Sequence, residues 1–134
     1  MFPPRKPRGY RKLLVVDQDV RLLSSCRDLL APYGFEVLTA TDGDAARPIV
    51  EQNPDIMLVI VELVMPRTDG RQWVRWYQSV RKDAPVIVIS SEHLAVDEDL
   101  QATAVLTKPF HVADLLDMVG LFCGLGTPTA MGGV

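Results

Sequence analysis

Five short apolar runs, separated by segments of helical spacing, constrain the fold of this chain more than any other feature. They are Lys12-Leu-Leu-Val-Val-Asp17, Glu36 to Ala40, Ile56-Met-Leu-Val-Ile-Val-Glu62, Val86-Ile-Val-Ile-Ser90 and Ala104 to Lys108. The first, third and fourth place apolar side chains at successive positions, so both faces of those strands must be covered, as in a parallel sheet. Between the first two runs, Asp19 is a helix N-cap, and Leu22, Cys26, Leu29, Leu30 and Tyr33 share a face that Pro32 and Gly34 close. Asp42-Gly43 turns into a second helix ending near Asn53, whose Pro48 removes an N–H and is expected to distort its first turns. A loop through Pro66, Asp69 and Gly70 precedes a helix that turns Trp73, Val74, Tyr77 and Val80 to the core. A short acidic helix is expected between the fourth and fifth runs, and Val112 to Phe122 forms the last helix. Five β–α units of this kind specify an α/β fold, an open, doubly wound parallel sheet with helices on both faces.

Composition agrees with one domain. The 134 residues are 48% hydrophobic and 23% charged with a net charge of −3, and a chain this long buries enough surface to fold without disulfides or structural metal. Cys26 and Cys123 form no C-x-x-C pair and read as small core hydrophobes of a reduced protein. No apolar run approaches the roughly 20 residues of a membrane span, and Met1-Phe2-Pro3-Pro4-Arg5 lacks a signal-peptide core, so a cytoplasmic location is expected. Arg5, Lys6, Arg8, Arg11 and Lys12 crowd the N-terminus, leaving 9 basic against 17 acidic residues from position 13 onward, a net of −8. That balance argues against nucleic acid and membrane as partners. Residues 1–10 read as a basic disordered tail, 11–123 as the folded unit and 124–134 as a flexible tail.

In such sheets, ligand and catalytic groups collect where strands end at their carboxyl edge. The strand ends here supply Asp17 and Gln18, then Glu62, then Ser90 and Ser91, then Lys108. Carboxylates can hold a divalent cation, while a hydroxyl and an ammonium suit phosphoryl oxygens. No G-x-G-x-x-G or G-x-x-x-x-G-K-[ST] occurs, and no Cys/His set has zinc-ligand spacing.

Val15-Val16-Asp17, Pro54-Asp55-Ile56, Met65-Pro66-x-x-Asp69-Gly70, Pro85-Val86-Ile87-Val88-Ile89-Ser90 and Lys108-Pro109-Phe110 follow one another across the folded region. In that order and approximate spacing they resemble the receiver domain of two-component response regulators. The resemblance implies a flavodoxin-like single domain with a five-stranded sheet in order 2-1-3-4-5. It also implies a phosphoacceptor carboxylate four residues before Pro66, a Mg²⁺ site beside it, and a Ser/Thr and a Lys that bind phosphoryl oxygens. Those last two positions are Ser90 and Lys108.

At the phosphoacceptor position this chain has Glu62 where the family has Asp, and the second member of the acid pair is Gln18. Asp17, Gln18 and Glu62 therefore make a weak or lost Mg²⁺ site, with a pocket charge of −1 including Lys108 where the family's sum is −2. The extra methylene displaces the carboxylate by about 1 Å, a misplacement that costs on the order of a hundredfold in rate. It also carries the carboxylate toward Ser90 and Lys108, so Glu62 is expected to act as a partial phosphomimetic bonded to Lys108. The family's inward-swinging aromatic, three positions before the lysine, is Val105 here, so a ring-flip relay is not expected.

The expectation is a non-enzymatic, phosphorylation-independent pseudo-receiver that acts through a protein partner: a histidine kinase, a downstream signalling protein or a second copy of the chain. Two alternatives stay open, a conventional Mg²⁺-dependent receiver and a flavodoxin-like small-molecule binder. Trp73 and Tyr77 are expected in the core with Trp76 at a flank. His93 and His111 are expected at the surface, and Asp97-Glu98-Asp99 reads as a solvated acidic turn.

Overall fold

The computed structural model describes residues 11–91 and 102–126. The expectations for both tails, for His93 and for the acidic stretch at 97–99 fall wholly or largely outside them. The central sheet contains β1 (Arg11–Val16), β2 (Phe35–Ala40), β3 (Ile56–Glu62), β6 (Val86–Ser90) and β7 (Ala104–Thr107), all parallel, in the order β2-β1-β3-β6-β7. Counted as the five main strands, this is the 2-1-3-4-5 arrangement implied by the resemblance. The helices are α1 (Val20–Leu30), α2 (Gly43–Gln52), α3 (Gly70–Val80) and α4 (Val112–Cys123).

Alternation along each strand sorts the core into two layers. Leu13, Val15, Leu58, Ile60, Ile87 and Ile89 pack with Cys26, Leu30, Leu115 and Val119 of α1 and α4. Leu14, Val16, Val59, Val61, Val86 and Val88 pack with Ala46, Val50, Trp73 and Tyr77 of α2 and α3. The doubly apolar runs are therefore the strands covered on both faces, as their composition demands.

Four details differ from the sequence reading. The buried stripe of α1 is Leu23, Cys26 and Leu30, with Leu22 and Leu29 only half-buried, because the helix rolls so that Leu23 faces the sheet. Val80 is 45% exposed at the last turn of α3, where the helix has run past the sheet it covers. Pro48 is accommodated inside a continuous α2, since the backbone bond it forfeits is to the carbonyl of the exposed Asp44 in the first turn. The segment expected to be a plain loop forms a small antiparallel hairpin, β4 (Val64–Met65) with β5 (Thr68–Asp69). Its turn residues are Pro66 and Arg67, and Arg67 lies at φ +63°, the position at which a type II turn requires positive φ.

Cys26 and Cys123 are free thiols in the same α1–α4 layer, Cys26 buried and Cys123 half-buried. Burial and then the Asp17 charge push the Cys26 thiol up to about 11, so it stays neutral at physiological pH. His111 is exposed at the start of α4, its backbone N–H donating to the Asp114 carboxylate.

Arg11 ties the two ends of the fold together. One guanidinium nitrogen donates to the Cys123 carbonyl at 2.5 Å and the Gly124 carbonyl at 2.6 Å; another donates to the Tyr33 carbonyl at 3.3 Å. The group also lies 4.1 Å above the Phe35 ring. Arg11→Met is expected to lower unfolding free energy by about 1–2 kcal/mol, measured by urea titration, because the last carbonyls of α4 lose a charged donor.

Candidate functional site

Because β1, β3, β6 and β7 run in parallel, their carboxyl ends bring Asp17, Glu62, Ser90 and Lys108 to one edge of the sheet. Glu62 is held in line by Leu63, whose N–H donates to the Ile89 carbonyl at 2.9 Å, while the Lys108 N–H donates to the Ser90 carbonyl at 2.7 Å. Asp17 is 0% exposed and Glu62 6% exposed, with Ser90 also buried.

The Lys108 ammonium bridges the two acids. Its Nζ lies 3.0 Å from Asp17 Oδ2 and donates to Glu62 Oε1 at 3.2 Å. The other oxygen of each carboxylate accepts a backbone N–H: Asp17 Oδ1 from Asp19 at 2.8 Å, Glu62 Oε2 from Gln18 at 3.2 Å. Gln18 thus enters the site through its backbone, and its side chain faces solvent. Sequence reasoning missed both N–H groups, although a helix N-cap two residues beyond a strand-end acid is the signal that donors will be there.

Burial raises the Asp17 carboxyl above the ordinary carboxylate range against the Asp19 N–H and the Lys108 ammonium, with the Glu62 charge adding to the rise. For Lys108 burial pulls downward, but the paired Asp17 and Glu62 outweigh it and hold the ammonium above its ordinary 10.5. Val105, in the fifth main strand, is half-buried and pairs with Val88 in the sheet.

The donor set does not fit the Mg²⁺ that the fold family implies. Three of the four carboxylate oxygens accept a hydrogen bond, and the fourth, Asp17 Oδ2, is sealed from solvent with an ammonium already 3.0 Å away. Mg²⁺ needs near-octahedral oxygen ligation, and among the described residues no three acidic, His or Cys side chains converge. The cation that the described residues themselves bring to both carboxylates is the Lys108 ammonium.

Beyond the site, Gly43 is clamped from both sides. Its N–H donates to Thr68 Oγ1 at 3.1 Å and its carbonyl accepts from Trp73 Nε1 at 3.0 Å, which pins the β4–β5 hairpin to the start of α2. A Cβ at Gly43 would lie 2.4 Å from Thr68 Cγ2, so this close approach requires glycine. Among the described residues no helix is long and apolar enough to cross a membrane.

Comparison with known proteins matches this geometry. The transcriptional regulatory protein PrrA of Mycobacterium bovis is 37% identical over 113 residues, covering 81% of this chain and 48% of PrrA, so the chain spans about half that relative's length. Protein PilG of Pseudomonas aeruginosa is 33% identical over 115 residues, covering 81% of this chain and 84% of PilG. In the solved CheX–CheY–BeF3–Mg²⁺ complex from Borrelia burgdorferi, a chain superposes with a TM-score of 0.76 at 27% identity, over 87% of this chain and 97% of that one. The family model for the response regulator receiver domain matches residues 13–120, and the chain belongs to that family, the receiver module of two-component signalling.

Proposed function

We propose that this receiver is set in its signalling state without phosphoryl transfer and acts by binding a protein partner. One observation carries the reading: Lys108 holds Glu62 and Asp17 together, 3.2 Å and 3.0 Å from one ammonium. A carboxylate nucleophile needs a free oxygen aligned with the incoming phosphorus and a cation to offset the charge on the transferring group. Glu62 has Oε1 on Lys108 and Oε2 on the Gln18 N–H, and the cation that could help is already paired with Asp17. The contact that Glu62 makes with Lys108 is of the type a phosphoryl oxygen on a shorter aspartate would make. It carries one negative charge where an acyl phosphate carries nearly two, so the mimicry is partial.

The test is to incubate the full chain with Mg²⁺ and acetyl phosphate and measure intact mass. The expected result is an unmodified chain, whereas the double variant Glu62→Asp/Gln18→Asp, which shortens the acceptor and supplies a second acid, is expected to gain a base-labile phosphate. A phosphate adduct on the unsubstituted chain that disappears in Glu62→Gln would overturn the reading in favour of a conventional Mg²⁺-dependent receiver.

A further inference from the structure

We propose that the crevice between the start of α2 and the β4–β5 hairpin binds a small zwitterion, an α-amino acid with a short side chain. This inference concerns a surface away from the Lys108 cluster and holds whether or not Glu62 accepts phosphate. The crevice holds about 130 Å³, or about four water volumes. Asp44 and Arg47 line it from α2, Arg67, Thr68 and Asp69 line it from the hairpin, and the buried Trp73 forms an apolar wall. Each side therefore presents one carboxylate and one guanidinium, all four exposed at the rim. Opposite charges so close in sequence ordinarily pair with each other, yet among the described residues none of these four forms an ion pair. Asp44 and Arg47 stand three residues apart on α2, but the Arg47 guanidinium lies over the Trp76 ring at 4.6 Å instead.

The hydrogen-bonding inventory of the crevice is two-sided. Asp69 gives one oxygen to the Arg71 N–H at 2.9 Å, which leaves its other oxygen and the Asp44 carboxylate as acceptors. Thr68 Oγ1 accepts from the Gly43 N–H at 3.1 Å, which leaves its O–H as a donor beside the two guanidiniums. A ligand of one sign would meet two like charges here, so an acidic peptide, a polynucleotide and a simple amine are all disfavoured. A ligand carrying both signs pairs with both, its carboxylate on a guanidinium and the Thr68 O–H, its ammonium between Asp44 and Asp69. An α-amino acid carries the two groups on one carbon, which suits a crevice below the roughly 300 Å³ at which cofactor-sized pockets begin. Its binding would tie α2 to the hairpin, which begins two residues beyond Glu62.

The experiment titrates the full, isotope-labelled chain with glycine, L-alanine and L-serine at low salt and follows amide and indole N–H signals by heteronuclear NMR. Saturable shifts are expected at Gly43, Thr68, Asp69 and the Trp73 indole, in the millimolar range that so few contacts support. Acetate and methylammonium, each with one of the two charges, are expected to bind about tenfold or more weakly. Asp44→Asn and Arg67→Asn are each expected to weaken L-serine binding by about tenfold or more. Asparagine tolerates positive φ, so the second variant keeps the turn at Arg67. Arg21→Gln on α1 is expected to leave binding unchanged, and circular dichroism checks that each variant is folded. The proposal is overturned by absence of saturable shifts, by acetate or methylammonium matching the amino acids on the same signals, or by binding that survives both Asn variants. Equal loss in Arg21→Gln overturns it as well. Phosphorylation enters none of these measurements, so their failure is distinct from failure of the Glu62 reading.

Discussion

Lys108→Met is expected to lower the unfolding free energy by about 3–5 kcal/mol at neutral pH, because it strands two buried carboxylates while keeping most of the apolar stem. Asp17 is fully buried and Glu62 nearly so, and the ammonium is the positive charge placed between them. Loss of Lys108 also removes two of the influences that hold Asp17 down, leaving burial and the Glu62 charge to push its carboxyl further up. A carboxyl whose folded pKa is raised stabilises the fold when protonated, so the variant should gain stability as pH falls through that value. The gain should be complete below the ordinary 3.8 of the unfolded chain. The unsubstituted chain carries the same acid-side effect in smaller degree, because its Asp17 carboxyl is already raised, and Lys108 adds a second effect on the alkaline side. Its raised pKa gives a contribution fully present below 10.5 and lost as pH rises through the folded value. Urea titrations from acid to neutral pH read the first effect. If Lys108→Met is as stable as the parent at neutral pH, the ammonium is not what holds the acids. The double variant Lys108→Met/Glu62→Gln, with one buried charge fewer, should recover much of the loss.

Gly70→Ala is expected to destabilise by about 3 kcal/mol or more, seen as a fall of about 10–20 °C in thermal midpoint. The added Cβ would lie 2.3 Å from the Leu63 carbonyl oxygen and 2.5 Å from Leu63 Cα. Both are backbone atoms, so no side chain can turn aside, and the Gly70 N–H bond to that same carbonyl, 3.0 Å long, would break with the shift. Leu63 follows Glu62 directly, so the strain reaches the site. The contrast is Gly120→Ala, where the nearest atoms are the tip of the Leu125 side chain at 3.2 Å and the helix gains a better former. That variant should stay within about 1 kcal/mol of the parent. Equal midpoints for the two variants would refute the backbone clash.

Both predictions rest on contacts of very different legibility in the sequence. Asp17, Glu62, Ser90 and Lys108 could be placed together because parallel apolar runs leave one edge at which their last residues must meet, and the structure brings them there. The bond from Lys108 to Glu62 could be anticipated from charge and reach. What could not be read was orientation within that edge, namely that Gln18 would turn its side chain to water and offer its N–H instead. Helix faces were legible to within one residue, since 3.6-residue periodicity leaves Leu22 and Leu23 as near equals until the sheet selects one. The Gly43–Thr68–Trp73 clamp gave no local signal, being three residues from three elements with individually ordinary spacing. Val80 was misplaced because periodicity says which side of a helix is apolar, not where the sheet beneath it stops.

The guanidinium of Arg11 gives the module a property that none of its strands or helices has alone. Because one side chain spans from the first strand to the carbonyls that close the last helix, the polypeptide enters and leaves at nearly the same spot. Ends held this close are the geometry under which a domain can be inserted into a surface loop of a host protein, or permuted by joining its old ends through a short linker.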